Sequence, residues 1–174
     1  MEEKRILIFT GNGKGKTTAA LGMALRASGH GMPVRIIQFI KNDDSTGEVK
    51  AVHNLSGVEL TQTGCGFIPP STSPAFEKHV KAAERGLKLA AAAVASGDYE
   101  LIVLDEICTA VAYGLLTESD VTDIMGDAAR GICLVMTGRD ATPKMIELAD
   151  TATEMKCLKH AFEAGLSARK GVEY

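Results

Sequence analysis

Two strings in this 174-residue chain carry residue types that do chemistry together. The first runs Thr10-Gly11-Asn12-Gly13-Lys14-Gly15-Lys16-Thr17-Thr18. Glycines let backbone amides turn inward around phosphate oxygens, and a helix that follows adds the positive end of its dipole. Lys16 neutralises phosphate charge, and the Thr17 hydroxyl can hold Mg²⁺. The string departs from G-x-x-x-x-G-K-S/T at its first position, where Thr10 replaces Gly. The second string is Asp105-Glu106, at the end of the apolar run 101–104. An acidic pair at the carboxyl end of a buried strand lies where open α/β sheets place ligands. Asp105 can accept from Thr17 or from a metal-bound water. Glu106 can contact metal, nucleotide or an attacking group.

These strings need elements to position them. A strand over 6–9, the glycine-rich loop 11–18 and a helix over 18–28 are the strand–loop–helix context of a phosphate loop. Strands follow over 34–39, 58–61, 101–104, 132–136 and 151–155. A long helix starts from Ser73 and Pro74, runs to Ser96 and stops at Gly97; its run 90–93 of alanines suits close packing on a sheet. Thr117 and Asp120 make a capping box for a helix to about Arg130, and Thr142-Pro143 start another ending near Ala149. Strands alternating with helices predict an α/β fold with a mostly parallel sheet, as one domain over 1–174.

Composition narrows the function. Hydrophobic residues make up 45% and charged residues 24%, an ordinary globular balance that excludes disorder. The net charge of −3 argues against a phosphate-gripping nucleic-acid binder. With 5% aromatics and no Trp, widespread base stacking is not expected. The chain carries no signal-peptide pattern and no apolar run of membrane-spanning length, so a cytoplasmic protein without a membrane partner is expected. Cys65, Cys108, Cys133 and Cys157 form no C-x-x-C pair and read as reduced thiols. Nucleotide triphosphate binding follows from the loop. The reaction does not, because hydrolases, kinases and motors share that loop.

Further strings narrow the choice. They are Gln38-Phe39-Ile40-Lys41, Gly47-Glu48, Leu104-Asp105-Glu106 with Tyr113, and Thr137-Gly138-Arg139. Then come Ala149-Asp150 with Glu154-Met155, Lys159-His160-Ala161-Phe162 with Gly165, and Gly171-Val172-Glu173-Tyr174. With the phosphate loop they span essentially the whole chain. The chain resembles the corrinoid adenosyltransferases of the ATP:cob(I)alamin type, the P-loop family distinct from the helical-bundle adenosyltransferases. The resemblance implies a RecA-like three-layer P-loop fold. It implies transfer of the 5′-deoxyadenosyl group of ATP to reduced cobalt(I) of a corrinoid (cobalamin or a precursor such as cobinamide), with triphosphate released. Cobalt(I) is a strong nucleophile and needs no activating base. The protein must align the 5′ carbon and stabilise the leaving polyanion.

Roles follow by position. Gly11, Asn12, Gly13, Lys14, Gly15, Lys16, Thr17 and Thr18 should hold the triphosphate, with ATP reversed in the loop relative to hydrolases. Thr17 with Asp105 or Glu106 should hold Mg²⁺, or Mn²⁺ in its place, and Glu106 is alternatively a ribose contact. Lys16, Thr17 and Glu106 are the catalytic candidates. Arg139 is expected at phosphate or nucleotide, and Lys159 and His160 at nucleotide or corrin. Gln38 and Lys41 either line the site or serve structure. The resemblance also implies a homodimer, and a flavodoxin-like protein or a flavin as reductant. Two departures stand out. Family members carry a Gly-x-Gly-Phe-Thr-Trp-like segment whose aromatics approach the corrin. Here it reads Gly64-Cys65-Gly66-Phe67-Ile68-Pro69, with Phe67 matched and Pro69 in the place of Trp. Many members also carry an N-terminal extension that folds over the corrin. Here Met1 lies about five residues before the first strand, which implies a more open corrin site or a different preferred corrinoid.

Overall fold

A computed structural model describes residues 3–172, apart from the side chains of Phe162 and Ala164. Glu173 and Tyr174 of the closing motif lie outside the described residues, as does the Phe162 side chain. Six strands form one sheet: β1 (Arg5–Thr10), β2 (Val34–Gln38), β3 (Val58–Gln62), β4 (Leu101–Asp105), β5 (Cys133–Thr137) and β6 (Thr151–Glu154). Their order is β3-β2-β4-β5-β1-β6, and every pairing is parallel. The helices are α1 (Lys16–Gly29), α2 (Gly47–Val52), α3 (Phe76–Ser96), α4 (Ile107–Ala112), α5 (Glu118–Asp127) and α6 (Pro143–Leu148).

The apolar pattern explains the layers. β4 is buried along its whole length, as a central parallel strand covered on both faces must be. On one face Ile8, Ile37, Ile102, Leu104, Leu134 and Met136 pack with α3, α4 and α5. On the other, Val34, Ile36, Leu101, Val103 and Val135 meet Ala20, Ala24 and Ala27 of α1. Those alanines recur at helical spacing and let α1 lie close to the sheet. In α3, Ala90 and Ala93 are buried while Ala91 and Ala92 face out, so the alanine run is half core and half surface.

A parallel sheet brings all its strand ends to one edge. Register sets Gln38 beside Asp105 and Gln62, Phe9 beside Thr137, and Thr10 beside Glu154. The phosphate loop, Lys41, Asp105-Glu106, Thr137-Gly138-Arg139 and Met155 therefore gather at one carboxyl edge.

Several boundaries differ from the expectations. α1 begins at Lys16, two residues early, because Gly15 adopts φ 109° and turns the chain straight into the helix. α3 begins at Phe76, with Ser73 and Pro74 in the turn before it; the Ser73 hydroxyl accepts from Ala75 N at 3.3 Å. Gly97 closes that helix as expected. The capping box of Thr117 and Asp120 is present, but α5 ends at Asp127, because Ala128 leaves helical geometry at ψ 117°. Thr142 caps α6 by accepting from Met145 N at 3.2 Å. α2 and α4 were not expected, each being six residues and too short to show a period. All four cysteines are free thiols. Among the described residues no helix is long and apolar enough to cross a membrane.

Candidate active site

The phosphate loop leaves β1 and enters α1. Because α1 starts at Lys16, the amides of Lys16, Thr17 and Thr18 form its open first turn, a ready anion site. Lys16 is buried and folded back into the loop. Its ammonium donates to Gly11 O at 2.7 Å and Gly13 O at 2.8 Å. Burial pushes its pKa below the ordinary lysine value; Glu106 opposes this and Arg139 adds to it. Asn12 and Lys14 are exposed on the loop. The Gly13 amide donates to Met155 O at 2.6 Å. Met155 N in turn donates to Thr10 O at 2.8 Å, so the chain leaving β6 braces the loop from behind.

Asp105 is the hub. It is 1% exposed at the end of β4, and four side chains converge on it. Thr17 Oγ1 and Thr137 Oγ1 each donate to Oδ1 at 2.7 Å. Gln38 Nε2 donates to Oδ2 at 3.0 Å, and Lys41 Nζ lies 3.4 Å from that same oxygen. Gln62 Nε2 fixes the orientation of Gln38 by donating to its Oε1 at 2.8 Å. Lys41 also pairs with Glu48 at 3.1 Å. Burial works to lower the Lys41 pKa, but Asp105 and Glu48 outweigh it and hold the value above the ordinary one.

Glu106 adopts φ 65° as the chain turns from β4 into α4. Its amide donates to Thr137 Oγ1 at 2.9 Å, and its carboxylate accepts from Thr109 Oγ1. Thr109 Oγ1 also accepts from Arg139 N at 2.9 Å, which ties the loop after β5 to α4. Thr109 and Thr137 were not among the expected site residues. Thr137 entered only as part of the Thr137-Gly138-Arg139 string, at the end of β5, and Thr109 belongs to no string but lies three residues past Glu106.

Two cavities open on this edge. One, of about 390 Å³, is lined by Thr17, Thr18, Leu21, Lys41 and Glu48, with Gly171 and Val172 of the C-terminal segment. The other, of about 270 Å³, is lined by Ile40, Phe67, Ile68 and Tyr113, with Lys41, Glu106, Thr109 and Arg139 around them. The segment bearing Phe67 is held against β2's exit, where Gly66 N donates to Ile40 O at 2.8 Å. Gly64 is required there, since a Cβ would fall 2.0 Å from the Ile40 carbonyl. Phe67 itself is 93% exposed, an arrangement that costs burial and leaves the ring available. Arg139 is exposed in the Phe67 cavity beside Glu106. Lys159 is exposed and His160 half-buried beyond β6, and neither lines these two cavities.

A parallel α/β sheet with a glycine-rich loop entering α1, and Thr17 bonded to the acidic end of β4, defines a P-loop nucleotide-binding protein. A KaiC-like protein from Pyrococcus horikoshii shares this fold, with a TM-score of 0.54 at 14% identity, covering 91% of this chain and 74% of that one. A family model described as ATP:corrinoid adenosyltransferase BtuR/CobO/CobP matches residues 2–174. The corrinoid adenosyltransferase of Pseudomonas aeruginosa is 43% identical over 171 residues, 97% of this chain and 83% of that protein. That of Escherichia coli K12 is 37% identical over 169 residues, 97% and 85%. The corrinoid adenosyltransferase CobA of Salmonella typhimurium is 36% identical over 171 residues, 97% and 85%. The chain belongs to the ATP:corrinoid adenosyltransferase family.

Proposed function

We propose that this protein transfers the 5′-deoxyadenosyl group of ATP to the cobalt(I) of a reduced corrinoid and releases triphosphate, serving adenosylcobalamin synthesis or salvage. The observation that carries this reading is the family match along residues 2–174. The site agrees with it, because a cavity beside the phosphate loop, lined by Thr17, Thr18, Lys41 and Glu48, adjoins a more apolar one that holds an exposed aromatic ring.

The protein's work is positioning and charge stabilisation. The open first turn of α1 receives phosphate oxygens. Lys16 leaves the Gly11 and Gly13 carbonyls to meet them, so the loop exchanges internal bonds for substrate bonds. A divalent cation fits at Thr17 and Asp105, where a hydroxyl faces a buried carboxylate at 2.7 Å, with Glu106 alongside. Among the described residues no cluster of three or more acidic, His or Cys side chains forms a metal cage, so phosphate oxygens and water would complete the shell. Mg²⁺, or Mn²⁺ in its place, would supply charge neutralisation of the departing triphosphate. Phe67 with Ile40, Ile68 and Tyr113 forms the apolar wall for the corrin; by the resemblance, Pro69 stands where family members carry Trp. Arg139 contacts substrate from the same wall. Lys159 and His160 as substrate contacts, a homodimer and a flavodoxin-like or flavin reductant rest on the family resemblance alone, and a cytoplasmic location rests on the sequence pattern alone.

The test is incubation with ATP, Mg²⁺ and a chemically reduced corrinoid, followed by absorbance. A Co–C bond forming only with both substrates supports the reading. ADP formed at the same rate without corrinoid contradicts it.

A further inference from the structure

The transfer gains from a donor placed at the ester oxygen itself, beside the phosphate loop and cation that hold the rest of the triphosphate. Cobalt(I) gives its electron pair to the 5′ carbon, the Co–C bond forms and cobalt becomes formally Co(III). The bond from the 5′ carbon to its ester oxygen breaks, and that electron pair stays on the oxygen as triphosphate leaves. New negative charge therefore appears at the ester oxygen. A donor held there before reaction lowers the barrier, because it need not reorganise as the charge develops.

We propose that Lys41 is this donor, a catalytic residue whose ammonium hydrogen-bonds the 5′ ester oxygen as the C–O bond breaks. The inference rests on the adenosyl-transfer reading above. In that reading the scissile bond spans the boundary between the phosphate side and the corrin side. Of the residues lining the two cavities, Lys41 alone lines both. Its ammonium is already placed: Glu48 Oε1 lies at 3.1 Å and Asp105 Oδ2 at 3.4 Å, on two different elements. Two carboxylates account for two of its three N–H donors, and the side chain remains 30% exposed toward the cavities. Asp105 does not depend on Lys41 for hydrogen bonds, since Thr17, Thr137 and Gln38 already donate to it. The lysine's distinctive contribution is a positive charge at the cavity junction. It keeps its protons throughout, so no proton transfer is needed.

The test compares wild type with Lys41→Met and Lys41→Arg. Single turnovers use excess MgATP and titanium(III)-reduced cobalamin, with the Co–C bond followed by absorbance; ATP affinity and melting temperature are measured alongside. Lys41→Met is expected to slow the transfer about 10²-fold, as loss of one preorganised donor does, while ATP affinity changes by less than about threefold. Lys41→Arg, which keeps the charge, should recover at least about tenfold of that loss. Lys41→Met at a rate within about threefold of wild type overturns the proposal. So does a slow variant whose loss is matched by ATP affinity, or one that Lys41→Arg does not rescue at all, since either outcome makes Lys41 structural. If Lys41→Met does not fold, Lys41→Gln carries the same comparison. A wild type that forms no Co–C bond overturns the underlying reading, and the inference with it.

Discussion

Thr137→Val isolates the joint between the acidic pair and the sheet. The Thr137 hydroxyl is fully buried; it donates to Asp105 Oδ1 at 2.7 Å and accepts from Glu106 N at 2.9 Å. Valine keeps the shape and removes both bonds. A hydrogen bond to a charged group contributes roughly 1.5–3 kcal/mol, and an amide left unpaired costs roughly 1–3 kcal/mol. The two overlap at one oxygen, so the sum is taken as about 3 kcal/mol. For a chain of this length each kcal/mol lowers the melting temperature by about 2–4 °C, giving a drop of about 6–12 °C. Thr137→Ser keeps the oxygen and loses one methyl, for roughly 1 kcal/mol. Thermal melts of the three proteins are the assay. A Thr137→Val protein melting within about 2 °C of wild type, or a serine variant as damaged as the valine one, would refute the reasoning.

Three further outcomes follow from named contacts. Lys16→Ala removes the ammonium that the loop stores on two of its own carbonyls, and ATP-dependent turnover should fall at least about 10²-fold; a loss under about twofold would contradict the loop assignment. Phe67→Ala should leave the melting temperature within about 2 °C, because the ring is 93% exposed, yet slow turnover with an intact corrinoid more than it weakens ATP binding; equal loss of both would make Phe67 merely structural. The Cys108 thiol is fully buried, and burial pushes its pKa up to about 12. Iodoacetamide at pH 8 should therefore leave Cys108 unmodified in the native protein, by mass spectrometry, and label it only after unfolding.

Much of this site was legible in the chain because its pieces are local. Strand, loop and helix around Lys16 follow one another without a gap, and an apolar run ending in Asp105-Glu106 needs no partner to be noticed. The Thr17–Asp105 bond was foreseeable from those two strings alone. What was not legible depends on strand order. β5 lies between β1 and β4, and only that insertion delivers Thr137 to both Asp105 and Glu106. Gln38 reaches Asp105 because β2 is the other neighbour of β4. The bracing of Gly13 by Met155 likewise requires β6 beside β1, a pairing of residues far apart in sequence. Phe67 shows a different limit: its residue type also suits a buried loop anchor, and only the structure shows the ring to be exposed.

The central claim is that this loop holds ATP for attack at its 5′ carbon rather than at a phosphorus atom. Phosphorus NMR of a reaction with ATP and titanium(III)-reduced cobalamin, paired with the absorbance of the corrinoid, decides it. One intact triphosphate released for each Co–C bond formed is the predicted result. ADP with inorganic phosphate as the products, or adenosylated corrinoid without triphosphate, would contradict the account.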